Sequence, residues 1–299
     1  MTALNDACPL ELAVVLSGMK TKIMWIVFTS GLLAQQADWI AAGDRALDEG
    51  NPRAAIVDYR QALLGYEKAG ARAQDLVHLR VTLATAYMEA GEYHEMESML
   101  SEAQAALRHA NNDVSQAELL NAWSALHIRL GQLAAAETEL QDALRLASKL
   151  RNSGDLLPTV LHNLAAVEMR TGRYAVALGH EQDAMNRLSK TLAPDAPTLI
   201  RGWASLASLE YMMGEPAAAR SCMERALESA ERTYGATHPF VAELLISDAV
   251  VLDKLKLKKE ARLARARARK IDGRIARAED DRVILSLWDA QKDVYLRSR

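Results

Sequence analysis

From Gln36 to about Arg269, small and large apolar residues recur at fixed distances from a glycine. Gly50, Gly91, Gly131, Gly172 and Gly214 stand 41, 40, 41 and 42 residues apart, and a further 42 residues reach Lys256. Seven residues before each of these positions stand Gly43, Ala84, Ser124, Ala165, Ala207 and Ala249. Five residues after them stand Ala55, Met96, Ala136, Ala177, Ala219 and Ala261, and twelve after them Ala62, Ala103, Ala143, Ala184, Ala226 and Ala268. Larger apolar residues, among them Trp39, Leu83, Trp123, Leu164, Trp203 and Leu245, lie between the small ones at spacings of three and four, which places them on one helical face. Each copy therefore reads as two antiparallel helices. The small residues allow close approach, and the glycine ends the first helix because it alone takes a left-handed cap without steric cost. The pattern predicts helices over 36–49, 52–70, 74–90, 93–109, 114–130, 133–151, 156–171, 174–191, 197–213, 216–234, 239–255 and 258–277, with a last one over 281–296. Asp195–Pro197 and His238–Pro239 mark linkers, since the residue before a proline is driven out of the helical region.

This succession of an aromatic or leucine, a small residue, glycine, alanine, a large apolar residue and alanine resembles the tetratricopeptide repeat. The usual repeat is about 34 residues long. The 40–42 residues found here, and phrases such as HNLAAVEMRTGRYAVAL (162–178) and ERTYGATHPFVAELL (231–245), resemble the longer kinesin-light-chain type. The resemblance implies an all-α, right-handed superhelical solenoid of six helix pairs over 36–269, followed by a C-terminal capping segment over 270–299. It also implies that the first helix of each pair lines a concave face where partners bind. Carried over copy by copy, that lining is His78, Val81, Thr85 and Met88; Asn121, Ala125 and Ile128; His162, Ala166 and Met169; and Arg201, Ala204, Ser208 and Tyr211. The set lacks the Lys, Asn and Arg combination with which some family members clamp a C-terminal carboxylate. A protein or peptide held by apolar contacts and side-chain hydrogen bonds is the expected partner.

Three residues break the pattern. Glu181 and Arg265 occupy sites where a large apolar residue is expected, and Ala46 stands where an aromatic or leucine is usual. Either Glu181 lies on an exposed edge or it has a polar partner.

Composition supports helix throughout. Half the residues are apolar, a quarter are charged, and Phe and Pro are scarce. Charge is uneven: residues 1–253 carry 21 basic and 32 acidic side chains, and residues 254–299 carry 15 and 7. Helix 258–277 buries Ala261, Ala264, Ala268, Ile271 and Ile275 along one stripe and turns Arg262, Arg265, Arg267, Arg269 and Lys270 outward. Such a helix either closes the end of a solenoid or binds nucleic acid or an anionic membrane. The capping role is the expected one, so neither nucleic acid nor membrane is the expected partner.

Residues 19–37 combine Lys20 and Lys22, an apolar run from Ile23 to Leu33, and Ala34 or Ala37 as a cleavage position. That is the form of a secretory signal, with an apolar run shorter than the roughly 20 residues of a membrane span. Asp6 and Glu11 in residues 1–18 do not suit a leader, which points to Met19 as the start and to a periplasmic or extracellular protein. A cytosolic regulator is the alternative. Of the two cysteines, Cys8 and Cys222, removal of the leader leaves Cys222, which lies in an alanine-rich helix as a buried, inert thiol. His94–Glu95 and His180–Glu181 begin like a zinc-protease motif without its second histidine, and no phosphate-binding loop, dinucleotide fingerprint or nucleophile elbow is present. Neither an enzymatic activity nor a metal or other cofactor is expected.

Overall fold

A computed structural model describes residues 36–47, 49–108, 112–151 and 153–271. The expected leader, Met19 and the expected helix over 281–296 lie outside the described residues. Among the described residues twelve helices follow one another: α1 (36–47), α2 (Pro52–Lys68), α3 (Ala73–Glu89), α4 (Tyr93–Leu107), α5 (Asp113–Arg129), α6 (Leu133–Ala147), α7 (Leu156–Arg170), α8 (Tyr174–Leu188), α9 (Pro197–Met212), α10 (Pro216–Tyr234), α11 (Pro239–Lys254) and α12 (Lys258–Ile271). The described residues contain no strand. From α2 to α12 each helix packs on the next, and Tyr59 of α2 packs on Gly43 of α1, so the described residues make an all-α repeat solenoid of six pairs.

The small residues of the repeat are its packing seams. Ala84, Ser124, Ala165, Ala207 and Ala249 are fully buried in the odd helices, as are Ala55, Met96, Ala136, Ala177, Ala219 and Ala261 in the even ones. Ala62, Ala103, Ala143, Ala226 and Ala268 are fully buried too, and Ala184 is 1% exposed. In the first pair the small residue is Gly43, and a Cβ there would run into the ring of Tyr59. The Tyr59 hydroxyl donates to Asp44 Oδ1 at 2.7 Å, so a large side chain is seated with its polar end satisfied. The tryptophans serve differently from the leucines. Trp39, Trp123 and Trp203 are only partly buried and close the edges of the layers, Trp203 beneath the Arg225 guanidinium 3.6 Å from its ring centre.

The turns confirm the role of the repeat glycine. Gly50, Gly91, Gly131, Gly172 and Gly214 have φ between 72° and 84°. In every pair the amide after this position reaches the carbonyl five residues back, as in Glu92 N to Tyr87 O and Arg173 N to Glu168 O, both 2.8 Å. This is the Schellman arrangement. The sixth pair makes the same bond, Leu257 N to Leu252 O at 2.9 Å, with Lys256 at φ 64° in place of glycine. A left-handed conformation strains a residue with a Cβ. Lys256→Gly is therefore expected to stabilise the last pair by about 1 kcal/mol, measured as a raised midpoint of urea unfolding.

Candidate functional site

The odd helices, expected to form the inner wall, also pack on one another, α3 on α5 and α5 on α7. Not all of the expected lining stands open there. Val81, Thr85, Met88, Asn121, Ile128, His162, Met169 and Ser208 are between 1% and 7% exposed. Ala125, Ala166 and Ala204 are buried as well. The same short side chains that bring the helices together close over these positions. His78 is half exposed, and Arg201 and Tyr211 keep part of their surface in solvent. The accessible inner face is thus carried by His78, Thr82 and Glu118 toward one end and by Arg201 and Tyr211 toward the other. Arg201 lies 5.4 Å from the Phe240 ring centre, and Lys254 Nζ lies 5.9 Å from that of Tyr211. His238, near Arg201, has its pKa lowered by burial and then by the guanidinium charge.

Behind this face runs a set of polar pairs. His162 Nδ1 is 2.8 Å from Glu181 Oε2, with the two side chains 5% and 1% exposed. This gives Glu181 the polar partner that its apolar repeat position calls for, and it turns His162 inward, away from any bound partner. In the third pair His127 of α5 meets Glu139 of α6 at 2.8 Å, and in the fourth Glu168 of α7 meets His180 of α8 at 2.8 Å. Residues 127 and 168 are 41 apart, as are 139 and 180, so the same contact recurs with acid and imidazole exchanged between helices. Alignment of the copies on their glycines reveals this exchange in the sequence. The bond to Glu168 raises the pKa of His180 against the effect of burial. Burial raises that of Glu139 more than His127 lowers it.

One copy further on, the corresponding positions hold Glu210 and Cys222. Burial pushes the Cys222 thiol up to about 12, and the Glu210 charge adds to the effect. A thiol so held carries almost no thiolate at neutral pH and is a poor nucleophile. Among the described residues no group of three or more His, Cys, Asp or Glu side chains converges as a metal site. No described helix is long and apolar enough to cross a membrane.

On α12, Ala261, Ala264 and Ala268 are buried. Arg265 is paired with Asp253 at 2.7 Å and Arg267 with Glu231. Part of the basic helix therefore neutralises carboxylates of α10 and α11. Arg262, Arg269 and Lys270 face solvent.

Paired antiparallel helices, joined by Schellman turns and stacked through alanine seams, define a helical-repeat protein. Tetratricopeptide-repeat family models match residues 159–197 and 198–273. Residues 159–273 thus match tetratricopeptide-repeat models in sequence, and the helix pairs before them repeat the same fold. Solved structures share the fold. BtubC (BKLC) from P. vanneervenii aligns with a TM-score of 0.60 and 16% identity over 83% of this chain and 94% of that one. A Podosopora anserina protein of nearly identical kinesin-light-chain TPR-like repeats aligns with a TM-score of 0.56 and 19% identity, over 69% and 99%. The Rap conjugation gene regulator of plasmid pLS20, in complex with the Phr* peptide, aligns with a TM-score of 0.62 and 17% identity, over 89% and 75%. No curated protein matches the sequence.

Proposed function

We propose that the protein is a non-enzymatic interaction scaffold that holds a peptide or partner protein against its inner face. The observation that carries this reading is the asymmetry of the wall. The framework residues are sealed, while a discontinuous set of polar and aromatic side chains, His78, Glu118, Arg201 and Tyr211, remains accessible along the odd helices. A wall built on packed helices is formed before the partner arrives, which keeps the ordering cost of binding small. The Rap regulator, whose structure contains a bound peptide, has a similar fold, which supports a peptide as one kind of partner.

The test is site-specific photocrosslinking in the native cell. A photoreactive residue placed at His78, Arg201 or Tyr211 is expected to capture one common partner. The same residue at Ser101 or Gln182, which are exposed on the even helices, is not. Equal capture from both sets of positions counts against the inner face. We also propose that the protein is exported, with its mature chain beginning after Ala34 or Ala37. N-terminal sequencing of the chain recovered from cells tests this, and a chain beginning at Thr2 refutes it.

A further inference from the structure

Between α3, α5 and α7 the inner wall holds a recess with room for about one water-sized group. Val81 and Leu156 form its apolar sides. Asn121, also in the lining, accepts the Asn163 amide through Oδ1 at 2.8 Å and keeps its own N–H donors, while two other polar groups present acceptors. The Thr82 hydroxyl donates to His78 O at 3.0 Å, and the Thr159 hydroxyl donates to Asp155 O at 2.6 Å. A hydroxyl has a single hydrogen, so what these two can turn toward the recess is lone pairs. Glu118 adds a carboxylate that is 13% exposed. His78, at the rim, lies 3.5 Å from that carboxylate through Nδ1 and is the one lining residue able to carry positive charge.

A ligand suited to these walls is water-sized, cationic and rich in donors. We infer that the recess receives a primary ammonium group of a bound peptide, either its free amino terminus or a lysine side chain. Three ammonium hydrogens match the Glu118 carboxylate and the two threonine oxygens. A guanidinium is too broad for the space, and a carboxylate would face lone pairs. A lysine would lay its methylene stem along Val81 and Leu156. The inference rests on the inner-face reading above and specifies what that face recognises.

His78 is the built-in rival of the ligand. Hydrogen bonding to Glu118 raises its pKa, and the charges of Glu118 on α5, Asp44 on α1 and Asp75 on α3 add to this against its burial. Protonated His78 occupies the carboxylate that the ammonium needs, so binding weakens as pH falls through the histidine titration.

The experiment is an NMR titration of the full chain with n-butylammonium chloride, following the His78 ring and the amides of Glu118 and Asn121. At about pH 8 the expected result is a saturable shift, absent with n-butanol and weakened at least about tenfold in Glu118→Gln. Thr82→Val, at a partly exposed position, is expected to weaken binding severalfold and serves if Glu118→Gln does not fold. His78→Asn is expected to abolish the loss of binding at lower pH. Glycinamide and N-acetyl-lysine amide distinguish the two sources, and saturation by either upholds the site. No saturable shift up to about 100 mM, equal affinity in Glu118→Gln and Thr82→Val, or equal binding of butanol overturns it. Crosslinks that persist at Arg201 and Tyr211 when ammonium fails to bind would remove this inference and leave the scaffold reading standing.

Discussion

His162→Leu destabilises the fourth helix pair by about 3 kcal/mol or more, the cost of breaking a buried acid–imidazole pair by removing one partner. The carboxylate of Glu181 is 1% exposed and cannot turn to water once the ring at 2.8 Å is gone. Glu181→Leu restores the apolar residue that the repeat prefers at that position, yet it costs a comparable amount because His162 Nδ1 loses its partner. The double variant His162→Leu/Glu181→Leu removes both polar groups from a site lined by packed helices and recovers most of the loss. Because each copy of a solenoid contacts its neighbours alone, the single variants act locally. Amide hydrogen exchange should accelerate first in α7 and α8. Additive single and double effects, with no recovery in the double variant, would show that the pair is not coupled.

Asp248→Asn has the opposite sign. Asp248 lies on α11 with Oδ1 buried and without a hydrogen-bond partner. Burial pushes its carboxyl up to about 6 from an ordinary 3.8. Glu224 and Glu260 push the same way, while Arg220 opposes them. The folded state therefore holds this proton more tightly than the unfolded chain does. The charged form costs nothing below the unfolded pKa of 3.8, costs progressively more as pH rises, and costs in full above about 6. The asparagine variant is expected to gain about 1–3 kcal/mol at neutral pH and nothing at about pH 4. Urea midpoints of the two proteins across that range measure it. A difference independent of pH would assign the gain to packing and not to charge.

Much of the framework was legible in the sequence because steric demands repeat with the chain. Glycine at the turns and alanine at Ala165, Ala177 and Ala184 are required in every copy, and helix ends fall within a few residues of the expected bounds wherever they are described. The outcome for the inner wall was less legible. Position in the repeat marks Met88, Asn121 and Met169 as inward, but whether an inward side chain stands open or is roofed over depends on how near the next helix comes. Alanine seams bring it near enough to cover them. The pairing of His162 with Glu181 crosses between two helices over 19 residues, a distance that neither helical periodicity nor a local motif expresses. The anomaly at Glu181 pointed to a buried partner without naming it. The recess beside Glu118 needed three helices in place, since its threonines present acceptors only because their hydrogens are engaged within their own helices.

Side-chain bonds also cross from copy to copy, as in Asn163 to Asn121, Arg173 to Glu137 and Arg220 to Glu260. In a solenoid the curvature is the sum of small rotations between successive copies, so whatever fixes the angle at one seam shapes the whole array. The recess is walled by units two, three and four together. A group lodged there acts as a wedge across two seams, setting their angle while the seams toward α12 remain free to bend. Occupancy at one end would thus be felt as a change in the reach of the whole inner face.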